Sequence, residues 1–316
     1  MRVAEEREFI VSAAQILANK NPLRNGLSVD VEDFFHVEAF SDRVSPDSWP
    51  DFPSRVRANT HRILDLFAEH GHRATFFILG WVAEREPALI REIAEAGHEL
   101  ACHSYAHRRV DKLTPQQFRE DLRRARDTVE NTTGIRVVGY RAPTFSIVRK
   151  SLWGLDILAE EGFLYDSSIF PIHHDHYGFP EAPRFPFRAK LASGARICEI
   201  PMSTVRVCGM NLPVGGGGYL RILPMFYTRL AVRHLQKTLG RPVIVYIHPW
   251  EFDPEQPRLE GSWKSRLRHY RGLDKTLPRM NELLTGGNFG TLQDMILALD
   301  RSGDLPLCSL GPAVSD

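Results

Sequence analysis

Leu27-Ser28-Val29-Asp30-Val31-Glu32-Asp33-Phe34-Phe35 begins as an apolar strand and then places three carboxylates within four residues. On a strand, the side-chain period of two sends Asp30 and Glu32 to one face and Asp33 to the other. Two acids side by side at a strand end repel one another, and desolvating them is costly unless a cation sits between or beside them. The stretch therefore marks both a buried strand and the first piece of a site.

Outward from this strand, apolar segments alternate with amphipathic ones. A helix is predicted over 54–70, with Ser54 as N-cap and Gly71 as its stop. Ala74 to Gly80 is a continuous apolar run, too short for a helix and rich in β formers, which reads as a strand buried on both faces. Further helices are expected over 87–96, 114–132, 151–161 and 223–239, with terminal helices at 278–284 and 292–299. Further strands are expected over 98–104, 137–140, 163–165 and 242–247, and a strand pair or one bent strand over 196–207. The Pro-, His- and Arg-rich stretch 171–194 reads as a long loop, and Gly215 to Gly218 as a turn.

Such alternation is the pattern of a parallel sheet covered by helices, open or closed. Asp30, His103, Arg141, Asp166 and His248 each sit where an apolar strand ends, and a barrel gathers the C-terminal ends of its strands at one mouth. The expected fold class is α/β, a distorted (β/α) barrel of about seven parallel strands. One domain is expected over 26–300, including a helical elaboration from about 251, between an N-terminal extension (1–25) and a tail (301–316).

The totals exclude several function classes. The 316 residues are 43% apolar and 25% charged, a globular composition. A net charge of +1 gives no nucleic-acid signature, and no apolar run reaches bilayer-spanning length. Cys102, Cys198, Cys208 and Cys308 lack CxxC spacing, which argues against a disulfide framework or a cysteine zinc site. Residues 1–20 lack the basic-then-apolar order of a secretory signal. A reducing cytoplasm is the simplest home, with the periplasm left open; the oligomeric state is not legible.

His103-Ser104-Tyr105-Ala106-His107 follows an apolar strand and spaces two imidazoles by four residues. On a helical turn they would share a face and grip one metal ion. A His, His, carboxylate set leaves a coordination position open for water, as catalytic rather than structural sites do. His248 ends the strand Val243-Ile244-Val245-Tyr246-Ile247 and precedes Pro249-Trp250. Each of these residues alone has an ordinary structural reading; their joint placement at strand ends does not.

Taken in order, Asp30-x-Glu32, His103-Ser-x-x-His107, Arg141-x-Pro143, Asp166 and Ile247-His248 resemble the polysaccharide deacetylase family (NodB homology, carbohydrate esterase family 4) over about residues 26–250. Ser28 to Asp33, Gly139 to Pro143, Gly215 to Tyr219 and His248 to Glu251 are most similar to bacterial exopolysaccharide-locus deacetylases associated with the exosortase system, extending the resemblance to about residue 300. The resemblance implies a divalent metal, usually Zn2+, held by an acid and two histidines: here Glu32, His103 and His107. This chain departs from the family's adjacent Asp-Asp pair, so Asp33 stands as the alternative carboxylate. A site that binds metal poorly, leaving a glycan-binding protein without turnover, is the third reading.

The implied reaction removes N-acetyl groups from N-acetylhexosamine units of an exopolysaccharide or its precursor and releases acetate. Asp30 would take a proton from water, held in place by Arg141. The backbone N–H of Thr144 would meet the oxyanion, and His248, tuned by Asp166, would protonate the leaving amine. Deformylation or hydrolysis of another small amide is the competing chemistry. Three features fall outside this scheme. His173-His174-Asp175-His176 reads as a substrate wall or solvated surface, with a second metal site as the alternative. The glycines at 215–218 read as close backbone packing or a plain turn. Arg258, Lys264, Arg266, Arg268 and Arg271 form a basic cluster, in the ordinary case a solvated face, otherwise a contact for an anionic glycan or a lipid-linked phosphate.

Overall fold

The computed structural model describes residues 25–175 and 177–311. Nearly all of the expected N-terminal extension, His176 of the His-rich loop and the last five residues of the tail lie outside the described residues. The chain forms β1 (Asn25–Val31), β2 (Thr75–Ile78), β3 (Glu99–Cys102), β4 (Gly139–Tyr140), β5 (Tyr165–Asp166), β6 (Phe187–Lys190), β7 (Arg196–Glu199), β8 (Thr204–Val207), β9 (Met210–Pro213), β10 (Ile244–Ile247), β11 (Phe289–Gly290) and β12 (Leu307–Ser309). The main sheet has the order β10-β1-β2-β3-β4-β5-β7-β6-β12, with β11 also on β1, and β8 and β9 make a separate hairpin. From β10 to β7 every neighbour is parallel. That run is the expected set of seven parallel strands. β6 then pairs antiparallel with β7, and no pairing joins β10 to β12 among the described residues.

Helices α1 (Val56–Glu69), α2 (Gly80–Arg85), α3 (Pro87–Glu95), α4 (Pro115–Thr133) and α5 (Trp153–Glu160) lie in the connections between the early strands. The longest, α4, starts on a capping box: Thr114 accepts from the Gln117 N–H while the Gln117 side chain takes the Thr114 N–H. Later come α6 (Gly217–Ile222), α7 (Met225–Arg233), α8 (Trp263–Tyr270), α9 (Thr276–Thr285) and α10 (Leu292–Ser302). The helix expected over 223–239 is α7 plus a wider turn at His234–Thr238.

Strand parity divides the core in two. Val29, Val31, Phe76, Ile78, Leu100, Cys102, Val245 and Ile247 pack in one cluster, while Phe77, Ala101, Ile244 and Tyr246 pack in another on the opposite face. On β1 the second face is not apolar: it carries Ser28 and Asp30, both buried. Because β10, β1, β2, β3, β4 and β5 run parallel and adjacent, their C-terminal ends bring His248, Asp30, His103, Arg141 and Asp166 to one edge. Two of the four glycines pack closely, since a Cβ on Gly216 (φ +107°) or Gly217 (φ +50°) would run into the Tyr246 side chain, whereas Gly215 and Gly218 have ordinary room.

Three expectations need correction. Ser54 does not cap α1: the N-cap is Arg55, with no side-chain cap bond, and the Ser54 hydroxyl donates to Asp33. The 171–194 loop holds β6, and the expected tail holds β12, which pairs with it. Residues 103–107 are not a helical turn, since Ser104 (φ 68°) and His107 (φ 51°) are left-handed.

Candidate active site

Arg141 is the fully buried charge at the centre of the strand ends. Its Nη1 donates to Asp30 Oδ1 at 2.6 Å and to Ser28 Oγ at 2.9 Å. Its Nε and Nη2 donate to the carbonyl and hydroxyl of Ser167, and its guanidinium lies 4.1 Å from the Phe77 ring centroid. A buried guanidinium so fully bonded fixes the carboxylate it touches; removing one partner of such a pair typically costs about 3–5 kcal/mol. Asp30 Oδ2 then points towards His248, 3.7 Å from its Nε2.

Immediately after β1 the Glu32 N–H donates back to the Asp30 carbonyl, so the chain turns tightly while keeping both acids together. Glu32 faces His248 Nε2 through Oε1 and His107 Nε2 through Oε2, each at 3.2 Å. Burial raises the Glu32 carboxyl to about 8, against the pull of His248. Burial lowers His103 to about 4, and holds His107 well below the ordinary histidine range with the neighbouring histidines adding to the effect. Neutral His107 therefore forms no ion pair with Glu32, and Glu32 Oε2 is buried without a hydrogen-bond partner among the described residues. His103 is oriented by its Nδ1, which bonds the Arg141 carbonyl at 2.8 Å. One ligand atom from each of Glu32, His103 and His107 lies within 4.8 Å of the other two. Two neutral imidazoles and an orphaned carboxylate oxygen form a donor set that fits a divalent cation such as Zn2+.

Asp33 points elsewhere. Its Oδ2 accepts from the Arg55 and Val56 N–H groups and the Ser54 hydroxyl, and its Oδ1 from the Phe34 N–H. It serves as the missing cap of α1, satisfying donors that the helix start leaves open.

His248 is held from the opposite side to the metal-type ligands. Its Nδ1 and its own N–H both bond Glu251 Oε2, at 3.1 and 3.0 Å. The other oxygen of Glu251 accepts from Arg221 Nε at 2.6 Å. Burial works against protonation of His248, yet the Glu251 bond and charge, with Glu32 and Asp30, outweigh it and raise the imidazole to about 9. At neutral pH it carries a proton. Glu251 and Arg221 are site residues that the sequence reading did not single out; the i, i+3 spacing of His248 and Glu251 was the available signal.

Asp166 does not tune His248. Its carboxylate takes the hydroxyl and N–H of Ser168 at 2.6 and 3.1 Å and faces Glu199, a second buried acid held well above its ordinary range by burial and by Asp166. The Ser168 hydroxyl in turn accepts the Ala142 N–H at 2.7 Å. Asp166 thus anchors the loop after β4, where Thr144 (φ 56°) and Phe145 (φ 49°) are left-handed. With Ser104 and His107, these make four of the five described non-glycine residues at positive φ. Such positions cost about 1–3 kcal/mol each and cluster where surrounding bonds hold a functional geometry.

Known proteins share both sequence and fold with this chain. Residues 47–159 match the family described as polysaccharide deacetylase, and residues 167–297 match a domain of unknown function, DUF3473. A peptidoglycan deacetylase-like protein of Gibberella zeae is 34% identical over 36% of this chain and 33% of its own length. A peptidoglycan-N-acetylglucosamine deacetylase of Bacillus cereus is 30% identical over 29% of this chain and 34% of its own. The chain thus spans about a third of the length of these relatives. A solved structure from Mycobacterium smegmatis, provisionally described as a polysaccharide deacetylase, superposes with a TM-score of 0.57 at 21% identity, covering 94% of this chain and 96% of that one. An allantoinase superposes equally well, with a TM-score of 0.57 at 17% identity over 88% and 90% of the two chains. The fold is shared by proteins with different named activities, so substrate must be argued from the site. No helix among the described residues is long and apolar enough to cross a membrane.

Proposed function

We propose that this chain, whose residues 47–159 match the polysaccharide deacetylase family, is a metal-dependent hydrolase that removes N-acetyl groups from N-acetylhexosamine units of a bacterial exopolysaccharide or its precursor. The observation that carries the reading is the orphaned Glu32 oxygen among two neutral histidines, beside an Arg-held carboxylate and a protonated imidazole.

Glu32, His103 and His107 would hold the ion. When bound, a divalent metal supplies Lewis-acid polarisation of a carbonyl and of an attacking water. Asp30, kept in register by Arg141, takes the proton from that water. The Thr144 N–H, on a loop pinned through Ser168, meets the charge that develops on the acetyl oxygen. One donor of this kind typically contributes about 2.7–4 kcal/mol to the rate. His248 Nε2, protonated and backed by Glu251, delivers a proton to the sugar nitrogen, which is too basic to leave as an anion. The products are acetate and a free amino sugar. A binding module would have no use for an acid opposite a metal-type ligand set, which supports turnover over glycan binding alone.

The test is acetate release by zinc-loaded protein from N-acetylglucosamine oligomers and from an N-acetylated exopolysaccharide. Time-dependent acetate in proportion to enzyme is expected. Stoichiometric zinc with no acetate from either would overturn the deacetylase reading, and formate from N-formyl sugars alone would replace it with deformylation.

A further inference from the structure

The basic cluster left over by the mechanism lies on and around α8, within the 167–297 segment and outside the stretch matching the deacetylase family. Its outward face exposes Trp263, Lys264, Arg266, Leu267 and Arg268, while His269 is buried beneath. Trp263 is 71% exposed, more than any other large apolar side chain among the described residues. From 258 to 271 there are five cations and one acid, Glu260, in a chain whose net charge is only +1. Some exposed arginines elsewhere have carboxylate partners, such as Arg57 with Glu92, Arg123 with Glu161 and Arg229 with Glu282; others, such as Arg91 and Arg206, have none among the described residues, but they do not cluster with further cations and an exposed indole. Here Arg268 pairs with Asp175, while Lys264, Arg266 and Arg271 have no carboxylate partner among the described residues. An ordinary solvated face mixes both signs, so this one is short of anions.

The face is joined to the catalytic edge by two routes. The His248 ring stacks on Trp250 at 5.1 Å, and Trp250 stacks on His269 of α8 at 4.2 Å. Arg221, which holds the Glu251 partner of His248, also donates to the carbonyls of His269 and Arg271 at the end of α8. Trp263 and His269 are six residues apart on this helix, about 9 Å along its axis. An exposed indole offers a flat face for sugar C–H groups, and unneutralised cations offer charge to carboxylates or phosphates. Two apolar side chains on one short helix are a poor anchor for a lipid surface, which needs a larger buried apolar area.

We propose that the outward face of α8 is a docking surface for an anionic glycan chain, which it leads to the His248 edge; the assignment rests on the deacetylase reading of that edge and narrows its substrate to a negatively charged, N-acetylated polymer. The test is affinity electrophoresis of the full chain in polygalacturonate, a non-acetylated polyanion that needs no turnover, alongside acetate release from the neutral N-acetylglucosamine hexamer. Wild type should be retarded by polygalacturonate. Trp263→Ala and the double variant Lys264→Ser/Arg266→Ser should each lose about tenfold in affinity, and added salt should weaken the wild type most. Hexamer turnover should match wild type in both variants. Unchanged retardation of the two variants would overturn the assignment. So would Trp263-dependent capture by phosphatidylglycerol vesicles without retardation in polygalacturonate. Absence of acetate from the hexamer with normal retardation would sink the deacetylase reading and leave the docking face standing.

Discussion

Asp30 near the end of β1 and Glu32 in the turn just after it both face His248 Nε2, yet their surroundings differ. Asp30 is tied to Arg141, whereas Glu32 keeps an oxygen with no hydrogen-bond partner among the described residues. Asp30→Asn is therefore expected to abolish acetate release while zinc stays near one per chain. Metal analysis beside the activity assay checks this, and loss of zinc would mean that the two acids have exchanged roles. For Glu251→Gln, which weakens the hold on His248 Nδ1, kcat should fall about tenfold or more with KM little changed; a normal kcat in steady-state assays would remove Glu251 from the mechanism. The sequence carried the ordered set of strand-end residues because each ends an apolar run. It could not choose between Glu32 and Asp33, since the deciding partners, the Arg55 and Val56 N–H groups, are more than twenty positions away. Ser54 reads as an adequate cap for this helix start, so nothing local signals that an acid from elsewhere is recruited there.

That recruitment is a property of α1 as much as of Asp33. Asp33→Ala leaves several N-terminal donors of α1 unsatisfied, and should cost about 1–2 kcal/mol of stability with zinc stoichiometry unchanged. Denaturant midpoints and metal analysis would show it; loss of zinc with intact stability would make Asp33 the ligand instead. The loop after β4 depends similarly on Ser168, so Ser168→Ala should lower kcat and leave zinc in place, as read by steady-state kinetics and metal analysis. Strands with two apolar faces, such as Thr75–Ile78 and Ile244–Ile247, were legible because nothing else explains a short continuous apolar run. β6, β9 and β12 were not: Phe187-Arg-Ala-Lys190, Met210-Asn-Leu-Pro213 and Leu307-Cys-Ser309 are partly exposed and too short for an alternation to stand out. The left-handed residues at 104, 107, 144 and 145 were invisible for a related reason, because surrounding bonds and not local propensity impose them.

Across the molecule, buried acids link stability to pH. Glu99 opens β3 and accepts from Thr75 of β2, Tyr165 of β5 and the Gln293 N–H of α10, and burial raises it to about 7. Below the ordinary carboxylate value of 4.5 both folded and unfolded chains hold this proton, so Glu99 adds no pH dependence. Between about 4.5 and 7 the unfolded chain ionises while the folded one does not, and stability declines; above that window the loss is complete. Glu99→Gln removes this contribution. The denaturation midpoint of wild type should therefore fall relative to Glu99→Gln as pH rises from 4.5 to 7, and parallel curves would mean that Glu99 is already ionised in the fold.

The parallel sheet makes the site possible by lining up the ends of six neighbouring strands, and the whole functional reading requires that one ion sit among three side chains there. Anomalous scattering at the zinc edge from crystals of the zinc-loaded protein tests this directly. A single strong peak bonded to Glu32, His103 and His107, with Asp30 and His248 facing the open side, is the expected result. A peak at Asp33 or between Asp166 and Glu199, or no peak at full zinc loading, would contradict it.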